Sequence, residues 1–366
     1  MIVPGPGQRH SIEQIWPSVA GALGVEGFDN PLGLPPARRY VLVLVDGLGE
    51  TLLREHAELA PFLSSQPSVP DLVCGVPSTT ATSLTSLGTG RRAGEHGVVG
   101  YTARVPETGA RINSLTWDQD VDPLRWQPYG TILECMGAAG VAVGTVNDAR
   151  FEGSALTLCS QRGIPFHGVK SVWERLDVVL DVVETADRAA VYAYESRLDH
   201  TGHAHGCTSQ EWRDMLVTVD RELAELRAEL PADTTLVVTA DHGMIDLPAE
   251  GRFDVDAHPR LLDDVDLLAG EARFRHVYTR QPEAVAERWR AELGDRVLVR
   301  RREDAGDWFG PVRPEVSGRI GDVVVAALDD FAVFSSREFA LEMMMAGFHG
   351  SVTEAELRIP LVVATG

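Results

Sequence analysis

Six acidic and histidine side chains stand beside short apolar segments of this sequence, where they could bind metal ions. They are Asp46, Asp199, His203, Asp241, His242 and His349. Any one of them could equally be a capping or core residue, but the group combines oxygen and imidazole nitrogen ligands with no thiolate. That donor chemistry suits zinc and tolerates manganese or iron.

The number and spacing of these side chains fit a pair of catalytic ions. Asp199 and His203 are four residues apart, so a helical turn would place both on one face, where they could hold one ion. Six ligands make two sets of three, and three protein ligands leave an open position at a catalytic zinc. Two metal ions roughly 4 Å apart stabilise the entering and leaving oxygens of a phosphoryl displacement.

A nucleophile for such chemistry is offered by the segment GVPSTTATSLTSLGTG. Pro77 and Ser78 indicate a turn and cap, followed by a helix from about Thr79 to Leu87. The unpaired backbone N–H groups at a helix N-terminus attract a phosphoryl oxygen. The hydroxyls of Ser78, Thr79 and Thr80 therefore include a candidate nucleophile, although they could also form only a polar cap.

Runs of β-branched and aliphatic residues alternate with helix-length segments, which is typical of a parallel sheet covered on both faces by helices. The clearest run covers Tyr40 to Val45 and is followed at once by Asp46. Similar runs begin near residues 141, 189, 235 and 321, and IPLVVATG ends the sequence. We therefore expect an α/β doubly wound fold with a mostly parallel sheet, whose strand ends collect ligands.

The intervening segments predict helices and one insertion. Helices are expected in 128–140 and in 209–230, where apolar residues recur every three to four positions. Residues 252–319 carry many charges, and their second half reads as strand, helix and strand. We predict a small inserted α+β cap over 252–319 and a catalytic core formed by 1–251 and 320–366.

Composition excludes two function classes. The chain has 33 basic and 54 acidic residues, a formal net charge of −21, which argues against binding a nucleic-acid polymer. Its only lysine, Lys170, follows Val169 instead of a glycine, so no P-loop of the Gly-Lys-Ser/Thr type exists.

Four scattered cysteines and the N-terminal residues bear on the compartment. No Cys-x-x-Cys spacing is present, which favours buried free thiols over a zinc knuckle or a redox pair. The first residues, MIVPGPGQRHSIEQ, lack the pattern of a secretory signal, and no apolar run approaches about 18 residues. We expect a cytoplasmic protein that does not act at a membrane.

The ordered motifs VDG, PSTT with LGTG, DHTGH, ADHG and FHG resemble the alkaline phosphatase superfamily, specifically its nucleotide pyrophosphatase/phosphodiesterase branch. The resemblance spans about residues 39 to 365 and implies an alkaline phosphatase-like fold with two Zn²⁺. In that branch the nucleophilic threonine lies ten residues before the glycine that closes a Ser-Leu-x-Thr-Gly stretch. The resemblance thereby implies Thr80 as the nucleophile, with Thr79 as the fallback.

The resemblance also assigns the six ligands to two ions. One ion, facing the incoming water, would be held by Asp199, His203 and His349. The other would be held by Asp46, Asp241 and His242, together with the Thr80 oxygen. His205 matches no ligand position of the family, and we interpret it as a supporting or surface residue.

One departure from the family concerns the oxyanion contact. Diesterases of this branch usually carry an asparagine shortly after the Ser-His-Gly-like motif, where it hydrogen-bonds a non-bridging phosphoryl oxygen. Here GEHGVVGYTARV places Gly100 and Tyr101 in that neighbourhood, and Asn113 is too distant to align without a gap. The contact could come from the backbone N–H of Thr80 or Ala81, from Tyr101, or from no residue.

The leading hypothesis is a two-zinc hydrolase that cleaves phosphodiester or pyrophosphate bonds of small phosphoesters or nucleotides through a phosphothreonine at Thr80. A phosphonate hydrolase similar to phosphonoacetate hydrolase and a phosphomonoesterase are the enzymatic alternatives. A metal-dependent binding protein on the same scaffold is the non-enzymatic one. Specificity should reside in the cap and in loops near 101–125, where Trp117 and Trp126 could stack on a nucleobase, although such residues more often pack internally.

Overall fold

The computed structural model describes residues 10–366, and two sheets dominate this part of the chain. In chain order, their strands are β1 (Arg39–Val45), β2 (Ala142–Asp148), β3 (Phe166–Val169), β4 (Ala189–Glu195), β5 (Thr234–Thr239), β6 (Val265–Glu271), β7 (Phe274–Thr279), β8 (Val297–Arg301), β9 (Val323–Ala327) and β10 (Leu361–Ala364). Most of the stretch in which a secretory signal was sought lies outside the described residues.

The central sheet has six strands in the order β10-β5-β1-β4-β2-β3. All neighbouring strands run parallel except β10, which pairs antiparallel with β5. In β1 every residue from Tyr40 to Val45 is buried, as the continuous apolar run requires. The expected mostly parallel α/β sheet is therefore confirmed, with β3 as an edge strand that the sequence pattern did not indicate.

Fifteen α-helices occur within residues 10–366. They are α1 (Ile15–Ala22), α2 (Glu50–Glu55), α3 (Pro61–Ser65), α4 (Thr80–Thr89), α5 (Ala93–His96), α6 (Pro123–Trp126), α7 (Ile132–Ala138), α8 (Ala155–Ser160), α9 (Val172–Glu184), α10 (Arg197–His205), α11 (Gln210–Glu229), α12 (Pro282–Leu293), α13 (Gly306–Phe309), α14 (Pro314–Ser317) and α15 (Glu354–Leu357). Short strands pair as His10–Ser11 with Leu72–Val73, Thr102–Arg104 with Arg111–Asn113, Ile245–Asp246 with Gly347–Phe348, and Arg252–Asp254 with Ala332–Phe334.

The two predicted helices both form. α11 spans almost all of 209–230 and buries the apolar stripe expected for it, from Trp212 to Leu226. α7 is shorter than 128–140, because it begins after its N-cap, Thr131, whose side chain accepts from Glu134 N.

The second sheet is antiparallel, in the order β6-β7-β9-β8, and α12 packs on it with Trp289 fully buried. The expected strand, helix and strand correspond to β7, α12 and β8. We expected the run near 321 to form a strand of the central sheet. This prediction was wrong, because the run forms β9, which lies between β7 and β8 in the second sheet. All five residues of β9 are buried, so its pattern matches that of a central parallel strand. Division of the chain at 252 and 319 stays a prediction.

Two smaller expectations concern thiols and membranes. All four cysteines are free, but Cys135 is exposed on α7, whereas the other three are buried as expected. Within residues 10–366, no helix is both long and apolar enough to traverse a bilayer.

Candidate metal centre and catalytic hydroxyl

The six predicted ligands converge because their strands are neighbours in the central sheet. β5, β1 and β4 lie side by side, and parallel strands present their carboxyl ends at the same edge. Asp46 follows β1, Asp241 and His242 follow β5, and α10 begins two residues after β4. His349 joins them from the loop after Gly347–Phe348, a short strand that pairs with the segment following His242.

The first set, Asp199, His203 and His349, is half-buried, and its ligand atoms all lie within 4.8 Å of one another. His203 Nε2 lies 3.4 Å from Asp199 Oδ1 and 3.2 Å from His349 Nε2. His349 Nε2 is 3.9 Å from Asp199 Oδ1. As predicted, Asp199 and His203 lie one turn apart on a helix, α10.

The second set, Asp46, Asp241 and His242, is fully buried, and its ligand atoms also lie within 4.8 Å of one another. His242 Nε2 lies 3.4 Å from Asp46 Oδ1 and 3.5 Å from Asp241 Oδ2. The His242 and His349 rings stack with their centroids 3.7 Å apart, so the two sets are adjacent.

Backbone carbonyls orient all three imidazoles. His203 Nδ1 lies 2.8 Å from Gly347 O, and His349 Nδ1 lies 2.9 Å from Ser78 O. His242 Nδ1 is 3.2 Å from its neighbour's carbonyl. Since a carbonyl only accepts, each Nδ1 is the donor, and in the neutral ring each Nε2 presents a lone pair to the site.

One oxygen of each carboxylate in the two sets lacks the hydrogen-bond partner that burial demands. Asp46 Oδ1, Asp199 Oδ1 and Asp241 Oδ2 are buried without a hydrogen bond. Burial, followed by the charges of Asp199 and Asp241, raises the pKa of Asp46 well above its ordinary value. Burial also raises the pKa of Asp241. Unpaired buried charges of one sign are costly unless cations balance them.

The donor set therefore fits divalent metal ions. Zn–N bonds of about 2.0–2.1 Å in a tetrahedron place ligand atoms roughly 3.3 Å apart. Within the two sets, five ligand-atom separations run from 3.2 to 3.9 Å. A cation would stabilise both the carboxylate oxygens that lack a hydrogen bond and the imidazole nitrogens that face each other.

Thr80, the predicted nucleophile, begins α4, and its Oγ1 lies 3.2 Å from His242 Nε2. The N-cap is Thr79, not Ser78 as the sequence suggested, and no side chain caps the first turn. Ser78 Oγ instead donates to Ser351 O at 2.7 Å and accepts from Gly350 N at 3.1 Å. The uncapped first-turn N–H groups, including that of Ala81, remain available to an anion.

Gly47 of the VDG motif allows Asp46 and Asp199 to approach each other. Its φ is +75°, and a Cβ there would lie 2.9 Å from Met244 Sδ and 3.1 Å from Asp199 Cα. Its N–H donates to Asp241 Oδ1 at 3.2 Å. Only glycine satisfies both the left-handed backbone and the close contact.

A cavity of about 740 Å³ adjoins Thr80 and the first metal set. Tyr101, a predicted substrate contact, lies in its wall, as do the apolar side chains of Phe151, Met215 and Phe348. It provides space for a substrate several times larger than a phosphoryl group.

The other aromatic and histidine candidates lie elsewhere. Trp117 and Trp126 pack edge to face, 6.1 Å apart, and neither lines the cavity, so they pack internally instead of stacking on a ligand. His205 is exposed at the end of α10, in keeping with a surface residue.

Sequence reasoning missed two residues of the site. The Tyr194 hydroxyl donates to Asp46 Oδ2 in a short hydrogen bond. Glu271, at the end of β6, is buried, and its Oε2 lies 3.6 Å from His349 Nδ1. Tyr194 lies in a strand five residues before Asp199, a position that could have suggested it. Glu271 carried no such signal, because β6 belongs to the second sheet.

The sequence matches the family model described as type I phosphodiesterase/nucleotide pyrophosphatase over residues 40–352. It is 28% identical over 187 residues to ectonucleotide pyrophosphatase/phosphodiesterase family member 7 of Rattus norvegicus, and equally to that of Mus musculus. In each case the match covers 47% of this chain and 42% of the relative. The chain thus matches less than half the length of these curated relatives.

Solved structures show the same fold. Murine ectonucleotide pyrophosphatase/phosphodiesterase 5 superposes with a TM-score of 0.71 at 18% identity, covering 88% of this chain and 87% of that one. An inactive variant of the murine protein in complex with AMP also gives 0.71 at 18% identity, covering 89% and 87%. The human protein gives 0.68 at 17% identity, covering 88% and 87%.

Proposed function

Because the chain belongs to the type I phosphodiesterase/nucleotide pyrophosphatase family, we propose that it hydrolyses phosphodiester or pyrophosphate bonds of small phosphoesters with Thr80 as nucleophile. The proposal rests chiefly on one distance: Thr80 Oγ1 lies 3.2 Å from His242 Nε2, at the edge of a buried set of ligands. A hydroxyl placed beside a charged ligand set at a helix N-terminus is suited to attack on phosphorus.

Two divalent ions, zinc in the first instance, would be held by the two sets. One would be bound by Asp199, His203 and His349, and the other by Asp46, Asp241 and His242. When bound, the ions would supply Lewis-acid stabilisation of the entering and leaving oxygens. The first set is half-buried and the second fully buried, which supports the first as the side from which water enters.

In the first step, Thr80 Oγ1 attacks phosphorus as the bond to the leaving oxygen breaks. The proton lost by Thr80 is balanced by the one that the leaving group gains, and the phosphothreonine keeps the second ester group of the substrate. In the second step, water attacks the same phosphorus and the P–O bond to Thr80 breaks. One proton of this water returns to Thr80, and the phosphomonoester product departs. The first-turn N–H of Ala81 is positioned for a non-bridging oxygen, and the Tyr101 hydroxyl offers a second donor from the cavity wall.

We propose a nucleotide or another small phosphodiester as the substrate. The cavity has apolar side chains such as Phe151 beside the predicted metal sets, which suits a leaving group with an apolar or aromatic face. The murine relative solved with AMP supports a nucleotide. The net charge of −21 disfavours a polymer of nucleotides.

Turnover of bis(p-nitrophenyl) phosphate, with and without a chelator, tests this proposal. Wild type should be active, and the chelator should abolish activity reversibly on return of Zn²⁺. Thr80→Ala should abolish turnover and retain about two ions per chain. Thr85→Ala removes the same atoms from α4 at a residue outside the cavity wall, so it should retain turnover. Full activity in Thr80→Ala would refute the assignment, and parallel monoester, nucleotide and phosphonate substrates define the class.

A further inference from the structure

The turn between β6 and β7 brings the second sheet against the predicted metal centre. Glu271 and Phe274 are paired residues, so only Ala272 and Arg273 form the turn. Arg273 is fully buried and forms a bidentate pair with Glu356, at 3.0 Å from Nε and 2.6 Å from Nη2. Glu356 Oε1 also accepts from Ser351 N at 3.0 Å.

The loop that receives this turn carries the ligand His349. Ser351, two residues later, accepts from Ser78 Oγ through its carbonyl, and His349 Nδ1 donates to Ser78 O. The Arg273–Glu356 pair therefore holds the loop from one side, and the segment before Thr80 holds it from the other.

Glu271 occupies the centre of this contact. Only 7% of it is exposed, and its Oε2 lies 3.6 Å from His349 Nδ1. Glu271 thus lies against a predicted ligand.

Gly350 of the FHG motif shows how closely Glu271 is packed. A Cβ at this glycine would lie 2.8 Å from both Cγ and Cδ of Glu271, and the φ of Gly350 is +124°. Any side chain at 350 would displace the carboxylate. The position of Glu271 therefore requires a glycine at this place in the motif.

An unpaired oxygen distinguishes Glu271 from other carboxylates. Among residues 10–366, four carboxylate oxygens are buried without a hydrogen bond. Three belong to predicted ligands, namely Asp46, Asp199 and Asp241, and the fourth is Glu271 Oε1. A buried carboxylate left in this state is stable only where positive charge lies close by.

We propose that Glu271 is a positioning residue of the metal centre, which packs against His349 and adds negative charge beside the Asp199/His203/His349 set. This inference rests on the proposed two-metal function. His349 Nδ1 donates to Ser78 O, so Glu271 Oε2, at 3.6 Å, acts on the ring through its charge and its packing. Loss of an outer partner of a metal ligand typically costs about 10–100-fold in metal affinity or activity. The second sheet thereby contributes to the centre without supplying a ligand.

Metal affinity tests this role without any substrate. Zn²⁺ content is measured by mass spectrometry after dialysis against graded chelator buffers, for wild type, Glu271→Gln and Asp266→Asn. Gln preserves the size of Glu271 and removes its charge. Asp266 lies on the same strand with 57% of its side chain exposed, so Asp266→Asn is a matched control for the charge change. Unfolding of the metal-free proteins in urea is measured in parallel.

We expect Glu271→Gln to bind one of two ions about 10-fold or more weakly, whereas Asp266→Asn matches wild type. Affinities within twofold of wild type for both ions would overturn the role, as would a change confined to metal-free stability. Glu271→Asp keeps the charge and should bind the ion more tightly than Glu271→Gln; equal affinities would also overturn it. Wild type that binds fewer than two ions would instead refute the two-metal function, and turnover is not needed for either outcome.

Discussion

His203 and His349 face each other through their Nε2 atoms, which lie 3.2 Å apart. Both Nδ1 atoms lie within hydrogen-bond distance of backbone carbonyls, so in the neutral rings the protons are on Nδ1 and both Nε2 atoms present lone pairs. Two lone pairs at this separation repel each other unless a cation accepts both. The pair is therefore arranged as half of the proposed metal site, which two distant parts of the chain would build.

Replacing His203 with Ala should remove one of two bound ions and nearly all phosphodiester turnover, because Asp199 and His349 alone make a weak site. Metal content by mass spectrometry and turnover in the same preparation measure the effect. His205→Ala is the control, since His205 is exposed on the same helix and lies outside both predicted sets. Two ions retained in His203→Ala, or one lost in His205→Ala, would contradict the assignment.

Tyr194→Phe should lower metal affinity or turnover by about 10–100-fold, because the lost hydroxyl donates to Asp46. Tyr192→Phe is a matched control two residues earlier on β4. The Tyr192 hydroxyl is buried without a hydrogen bond, so its removal should leave metal binding unchanged. Chelator competition and turnover measure both variants. Equal effects of the two substitutions would show that Tyr194 acts only through packing.

Acid should destabilise the protein partly through two buried imidazoles away from the metal centre. Burial lowers the pKa of His96 to about 3 and that of His276 to about 4. An unfolded chain protonates histidine near pH 6.5. Below that pH the unfolded state binds more protons, so the free energy of unfolding falls as pH falls from 6.5 towards 4.

His276→Gln should reduce this pH dependence by up to about 1.4 kcal/mol per pH unit between pH 6 and 4.5. Urea unfolding of metal-free wild type and variant at several pH values gives the difference, in which the shared titration of carboxylates cancels. His205→Gln, at an exposed histidine, is measured alongside as a control for the substitution itself. A slope unchanged in His276→Gln would mean that His276 is protonated in the folded state.

The sequence predicted the site best where a candidate ligand directly follows a predicted strand. Asp46 directly follows the apolar run Tyr40 to Val45, and Asp241 directly follows the β-branched and aliphatic run TTLVVTA. Both strands, and the edge that they share, could therefore be predicted. Glu271 could not be, because it is brought to His349 by a hairpin of a different sheet. β9 was placed in the wrong sheet because all its residues are buried, and an apolar run does not identify its neighbours.

The identity of the N-cap was missed for a similar reason. Ser78 is a favourable cap by type, yet its hydroxyl bonds Ser351 and Gly350, which lie more than 270 residues away in sequence. Local preference ranks Ser above Thr, and the long-range contact reverses that order.

Anomalous scattering at the zinc edge from crystals grown with Zn²⁺ tests the central claim most directly. We predict two peaks, one bounded by Asp199, His203 and His349, and the other bounded by Asp46, Asp241 and His242, with Thr80 Oγ1 facing the second. One peak alone, peaks outside these sets, or a Thr80 hydroxyl directed away from both ions would contradict the account.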